Sequence, residues 1–281
     1  VATPMVAYVV VDGKTVMSGS RMTIIAGVFS ICAILCYIVC FKLTSERVEV
    51  PASNQKISAS AIFKSIFTNK ALLGIIVAAI FVLLSQLTVM SLAGYVYPNV
   101  YGSAAAQSTA SLLGTVVMLV VCAPFASKLS AKLGKKELAM GSSIFSALVW
   151  LVCLIWRPAS VWGFVACYIL ANIGMGFFNT IIWAMITDVI DDAEVRNGVR
   201  EDGTIYSVYS FARKLGQAFS SGLVGALLGI IGYTEATAFD PAVTRGIFNM
   251  ACIAPIIGFV CIVLALAFLY PLNKKKVEEN V

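Results

Sequence analysis

The sequence predicts an all-α membrane protein, and three observations carry that expectation. The 281 residues are 60% hydrophobic and only 12% charged, whereas soluble domains are about half apolar and about a quarter charged. Mean hydropathy is +0.93. The apolar residues fall in long continuous runs rather than alternating with polar ones, which is the pattern of bilayer-spanning helices and not of a membrane β-barrel.

A bilayer core takes about 20 apolar residues as helix, and seven stretches qualify: 21–43, 71–97, 105–127, 138–156, 160–187, 204–232 and 246–271. Their orientation follows from the basic residues. Lys42, Arg47, Lys56, Lys64 and Lys70, then Lys128, Lys132, Lys135 and Lys136, then Arg196 and Arg200, and finally Lys274, Lys275 and Lys276 fall on one side of the membrane. Only Lys14, Arg21, Arg157 and Arg245 fall on the other, so the crowded side is read as cytoplasmic and the C-terminus lies there. The net charge of +6 is thus a consequence of topology and gives no support for nucleic-acid binding. A multi-pass protein of the cell membrane is expected, with the lipid bilayer as its first partner.

The chain starts at Val1 without a methionine or a charged leader, and residues 1–10 read as the end of a helix already under way. Upstream spans are therefore expected, with a processed signal peptide as the alternative. After the first span comes a polar linker around Glu49-Val-Pro51-Ala-Ser53-Asn54-Gln55-Lys56. Ile57, Ala61, Ile62, Ile66 and Phe67 then recur at helical spacing beside Lys56, Lys64 and Lys70, which predicts a helix lying on the membrane surface. The expected organisation is one span in 1–43, a cytoplasmic loop in 44–70, six spans in 71–273 and a tail in 274–281.

Cysteine and histidine usage narrows the chemistry. The eight cysteines all lie in expected spans, so disulfides are not expected. Cys32, Cys36 and Cys40 share one helix face, open to soft-metal binding or to plain packing as small apolar side chains. There is no histidine, so a His-based zinc site, proton relay or catalytic triad is not built from this chain. No cofactor is expected.

The densest polar feature lies between two spans. It reads Asp188-Val-Ile-Asp191-Asp192-Ala-Glu194-Val-Arg196-Asn-Gly198-Val-Arg200-Glu201-Asp202-Gly203, and Lys214 follows inside the next apolar stretch. A lysine within the hydrocarbon span is expensive unless it faces a cavity, and that points to a transporter. Tyr206, Ser210, Lys214, Gln217 and Ser221 recur at helical spacing as a polar stripe, and Asn172, Gly176, Asn179, Trp183 and Thr187 form a comparable one on the preceding helix. Gly222, Gly225, Gly229 and Gly232 make a smooth face, read as a packing surface.

One span, a long cytoplasmic linker and six further spans match the second half of a major facilitator, in which substrate binds near the midplane between two six-helix halves. The order Trp183-x-Met185-x-x-Asp188-x-x-Asp191-x-x-Glu194, Gly198-x-Arg200-x-Asp202-Gly203, Tyr206-Ser207, Lys214-Leu215-Gly216 and Gly232-Tyr233 closely resembles the glycoside-pentoside-hexuronide:cation symporter family. The loop Ser127-Lys128-Leu-Ser-Ala131-Lys132-Leu-Gly134-Lys135-Lys136 resembles the basic end of the superfamily's loop motif, without its acidic residue.

The resemblance implies sugar entry coupled to sodium or protons, with the chain supplying the last helix of the N-terminal half and the six-helix C-terminal half. It implies a cytoplasmic gate network with the other half in Asp188, Asp191 and Arg200, flanked by Glu194 and Asp202. It implies a sugar site containing Lys214, to which the polar stripes add Ser210, Asn179 and Trp183, with Tyr209 beside them. A typical member carries its sugar-site tryptophan one turn earlier, where this chain has Asn179, so the sugar stays open. Arg213 hints at an anionic sugar, with pairing to an acid or interface anchoring as the alternative. The expected partners are a glycoside or hexuronide and the missing N-terminal half, and the coupling-cation ligands are expected in that half.

Two other classes remain. A facilitator carrying a drug or lipid shares the fold without needing the polar stripes. Asp188-x-x-Asp191-Asp192 also suggests the magnesium-diphosphate site of a membrane prenyltransferase, but such enzymes need a second acidic cluster, and Asp12, Asp202 and Asp240 do not make one. No enzyme is expected.

Overall fold

The computed structural model describes residues 8–11, 14–17, 19–45, 69–198, 200 and 202–279. Two compact units divide the chain, Val1–Lys56 and Ile57–Val281. In the first, strands β1 (Tyr8–Val11) and β2 (Lys14–Met17) pair antiparallel, Tyr8 opposite Met17 and Val11 opposite Lys14. Helix α1 (Gly19–Leu43) follows. The hairpin corrects the expectation of a helix ending at Val10. Its cause is local: Val9, Val10, Val11, Thr15 and Val16 are β-branched, and they flank Asp12-Gly13, a strong hairpin dipeptide. The expected surface helix around Ile57 to Phe67 lies outside the described residues.

The second unit is a helix bundle. Helix α2 (Lys70–Tyr95) opens on Asn69, whose side chain accepts from the Leu72 backbone N–H at 3.1 Å, and it continues through a π-turn at Val96–Val100. Helices α3 (Ala104–Val117) and α4 (Ala123–Leu133) run on through a second π-turn at Met118–Cys122. Then come α5 (Lys135–Trp156), α6 (Val161–Asn197), α7 (Asp202–Ile230), α8 (Pro241–Phe268) and the short α9 (Lys274–Glu279). α2 packs along α7 and α8, α5 along α6 and α8, and α3 along α6, whereas the consecutive α6 and α7 meet only briefly.

Among the described residues six helices are long and apolar enough to cross a membrane. The seventh expected span is present as α7, 29 residues long, but Arg213, Lys214 and Gln217 lower its apolarity. Apart from the short hairpin, the described secondary structure is helical, as expected of an all-α membrane protein.

Two helices run further than expected. α6 has 37 residues, about 55 Å at 1.5 Å per residue, against a hydrocarbon core of about 30 Å. It ends at Gly198, whose φ of 67° is left-handed and therefore suits glycine. The acidic cluster thus lies on a helix that projects beyond the apolar layer. The basic stretch from Ser127 is likewise helix as far as Leu133, and the turn is confined to Gly134.

Tight packing uses small residues, as helix association in lipid requires. A Cβ on Gly216 would lie 2.8 Å from the Ile80 carbonyl oxygen, so α7 and α2 approach with backbone nearly in contact. The expected glycine face behaves otherwise. Nothing lies within 4 Å of a Cβ placed on Gly222, Gly225, Gly229 or Gly232, so that face packs on nothing in the described structure. The core is closed at one end by aromatic rings, with Phe164 against Tyr97, Trp150 and Phe248 at centroid separations of 5.5, 6.0 and 5.9 Å.

Candidate functional site

At the charged end of the bundle, the acidic cluster divides by helix geometry. Each residue turns about 100°, so carboxylates three apart are offset by about 60° and those six apart by about 120°. Asp188 turns inward. It is 6% exposed, and its Oδ1 accepts from Lys135 Nζ at 2.5 Å; the ammonium also reaches the Ala184 carbonyl at 3.4 Å. The sequence reading treated Lys135 only as a basic loop residue, and no local spacing could have paired it with a residue 53 positions on.

Asp191 and Glu194 turn outward and share Arg200, at 3.0 and 2.7 Å, while Arg200 Nε donates to Asp202 at 2.9 Å. One guanidinium therefore staples the end of α6 to the start of α7, and all four side chains are 41–47% exposed. The hydrogen bonds that Arg200 donates to Glu194, Asp191 and Asp202 raise its pKa further, so it stays charged. Three carboxylates against one arginine leave two negative charges exposed on this surface. Asp192, absent from the expected gate, is buried and bridges to Arg196 at 3.0 Å; the i,i+4 spacing was its available signal. Asp188, Asp191 and Asp192 thus face three different cations, and no group suited to a metal ion occurs among the described residues. That arrangement gives the prenyltransferase alternative no support.

Deeper along α6 and α7 lies the second cluster. Trp183 is 48% exposed and meets the ring of Tyr209 edge-on at 5.5 Å. Tyr209 is fully buried, so it backs Trp183 instead of presenting its hydroxyl at the surface. The Arg213 guanidinium lies 5.2 Å from the Trp183 ring centroid and 5.7 Å from that of Tyr209, and its Nη1 donates to the Tyr209 hydroxyl at 3.3 Å. Ser210 and Lys214, the residues next after Tyr209 and Arg213 respectively, are exposed on the adjoining stripe, and Lys214 Nζ donates to Gln217 Oε1 at 3.1 Å. Asn179 Nδ2 donates to Gln86 Oε1 on α2 at 3.4 Å. Gln86, which sequence reasoning did not single out, also lines a cleft of about 60 Å³ with Ser85, Trp150, Tyr168 and Asn172. That cleft has room for a few waters but not for a sugar ring.

Apart from Asp188, turned inward to Lys135, and Asn179, the expected site residues fall into two groups. Asp191, Glu194, Arg200 and Asp202 gather at the charged end. Trp183, Tyr209 and Arg213 meet where α6 approaches α7, with Ser210 and Lys214 on the same exposed stripe. Asn179 is held to α2.

Over residues 1–274 the chain matches the family described as MFS/sugar transport protein. It is 28% identical to a glucuronide carrier protein homolog of Escherichia coli (strain K12), across 90% of this chain and 55% of that protein. It is 29% identical to the uncharacterized symporter YjmB of Bacillus subtilis (strain 168), across 92% of this chain and 56% of that protein. An isoprimeverose transporter of Lactiplantibacillus pentosus is 24% identical, across 100% of this chain and 60% of that protein. The chain spans about half the length of the curated relatives it matches. With the order of spans, the charged end of α6 and the polar stripe of α7, this match shows that the chain belongs to the MFS/sugar transport protein family, in its glycoside-pentoside-hexuronide:cation symporter group.

Proposed function

We propose that the chain forms part of a cation-coupled sugar or glycoside symporter, driven by sodium or protons and working by alternating access. The supporting observation is the exposed polar surface of α7, with Ser210 and Lys214 beside the half-exposed Trp183 of α6. An indole face packs on the C–H face of a pyranose, and hydroxyl, amide and ammonium groups bond its hydroxyls. Names among the relatives include a glucuronide carrier homolog and an isoprimeverose transporter, which fit a glycoside substrate. Residues 71–273 act as one six-helix half, 1–43 hold the last helix of the other, 44–70 form the cytoplasmic loop and 274–281 the tail. The opposite cavity wall and the cation ligands come from the rest of a protein of the relatives' length.

In this reading the charged end faces the cytoplasm of a cell-membrane protein. Arg200 gathers Asp191, Glu194 and Asp202 into a latch whose two surplus negative charges meet basic groups of the other half. Partly exposed pairs are weak, which suits a contact that must open in every cycle.

The test is uptake of labelled neutral glycosides and uronides into proteoliposomes holding the protein at full family length, under sodium or proton gradients. Gradient-driven accumulation is expected, with a fall of at least about tenfold in Lys214→Ala, the size of a lost charged hydrogen bond. Failure to accumulate any sugar overturns the proposal, and unchanged uptake in Lys214→Ala removes Lys214 from the site.

A further inference from the structure

At the end of the bundle opposite the acidic cluster, the turn between α5 and α6 and the start of α8 enclose a cavity of about 370 Å³. Tyr101, Arg157, Pro158, Thr244, Arg245 and Phe248 are among its walls. That volume lies within the range of about 300–1,000 Å³ that small ligands occupy. The walls are held firmly. The Tyr101 hydroxyl donates to the Pro158 carbonyl at 2.9 Å, and Pro158 and Phe248 are buried. A Cβ on Gly163 would lie 2.6 Å from the Pro158 Cβ, so the turn sits tightly on the start of α6.

Two guanidiniums share this cavity without an acid. Arg157 and Arg245 both line it and both are exposed, and no carboxylate is among the described residues of its walls. Among the described residues neither arginine is ion-paired, so Glu235 and Asp240 of the α7–α8 loop neutralise neither. Arg157 Nη2 donates to Asn249 Oδ1 on α8 at 3.0 Å, which positions the side chain and leaves its other donors free. Arg157 also takes a left-handed φ of 48° at the end of α5, where glycine or asparagine is usual. Two like charges gathered in one cavity repel each other unless an anion joins them.

The cavity lies at headgroup level. The 22 residues of α5 rise about 33 Å, close to the thickness of a hydrocarbon core of about 30 Å. With Lys135 at one membrane face, Arg157 therefore reaches the other. Trp156 and Trp162, 60% and 59% exposed, flank the turn as interfacial aromatics do. Leu148, Val152 and Ile155 recur at helical spacing on α5, each more than half exposed, and make an apolar row that leads up to Arg157.

We propose that this cavity binds the phosphate of an anionic phospholipid, with Arg157 and Arg245 on the phosphate oxygens and an acyl chain along the exposed row of α5. Guanidinium forks suit phosphate oxygens. Charge selects the headgroup: phosphatidylglycerol carries a net negative charge, whereas choline or ethanolamine would bring a further cation beside two arginines. No residue of α6 or α7 is among the walls, so the site is separate from the polar stripes and does not depend on what the protein carries.

The experiment titrates full-length protein in neutral detergent with short-chain phosphatidylglycerol, short-chain phosphatidylcholine or inorganic phosphate, and reads each affinity from thermal protection. Wild type is compared with Arg245→Gln, whose side chain has no hydrogen bond to lose among the described residues, and with the double variant Arg157→Gln/Arg245→Gln. Wild type should bind phosphatidylglycerol at least about tenfold more tightly than either other ligand, the size of a charged hydrogen bond. Arg245→Gln should weaken phosphatidylglycerol binding at least about tenfold with its ligand-free melting temperature unchanged, and the double variant should weaken it further. Equal affinity in wild type and Arg245→Gln overturns the proposal. Inorganic phosphate binding as tightly as phosphatidylglycerol overturns the lipid as occupant, and phosphatidylcholine binding as tightly overturns the selection by charge.

Discussion

Lys135 and Asp188 set up an asymmetry that two single substitutions expose. Their charged atoms lie 2.5 Å apart, and the side chains are 33% and 6% exposed. Removing one member of a buried pair costs about 3–5 kcal/mol because the other charge is left desolvated. Lys135→Met strands Asp188 in that way, and the solvent reaching the lysine trims the loss to about 2–4 kcal/mol through screening. For a unit of this size, with about 2–4 °C per kcal/mol, the melting temperature should fall by about 4–16 °C. Asp188→Asn instead removes the buried charge. The remaining ammonium extends to water on its flexible stem, so the loss is that of a hydrogen bond, about 1–2 kcal/mol. The double variant should then melt within about 1 kcal/mol of Asp188→Asn alone, since the stranded charge is gone. Fluorescence-detected unfolding of the three variants in detergent measures this. Asp188→Asn as damaging as Lys135→Met, or strictly additive losses in the double variant, would refute the buried-charge account.

Two further outcomes follow from the same geometry. Gly216→Ala should lower the melting temperature by several degrees, because its Cβ would sit 2.8 Å from the Ile80 carbonyl, whereas Gly225→Ala should not, because nothing lies within 4 Å there; thermal unfolding of both distinguishes tight packing from an open face. Arg200→Gln should leave the melting temperature nearly unchanged, because its pairs are about half exposed. It should change the inward–outward balance, read as altered labelling of a cysteine placed in the cavity, and unaltered labelling would remove Arg200 from the gate.

The bilayer-spanning helices were legible because hydropathy accumulates residue by residue along the chain. The hairpin at Tyr8–Met17 was also written locally, in β-branched residues around Asp12-Gly13, but an expectation of continuing helix covered it. The reach of α6 to Asn197 was less visible, since hydropathy ends at the lipid boundary while a helix continues as long as its backbone is bonded and its charges are paired. The Arg196 to Asp192 bridge could be read from its spacing of four. The Lys135 to Asp188 and Asn179 to Gln86 contacts could not, because each joins helices far apart in sequence.

By itself the sequence determined the membrane class, the order of the apolar helices, and the residue types of the charged segment and the polar stripes, all of which depend on local composition and spacing. Only the tertiary structure decided how those residues divide. Asp188 goes inward to Lys135, Asp191 and Glu194 go outward to Arg200, and Tyr209 lies buried behind Trp183 with Arg213 on both rings. The physical reason is that a charge or a ring acquires its role from the neighbour it meets, and that neighbour is set by how helices pack against one another.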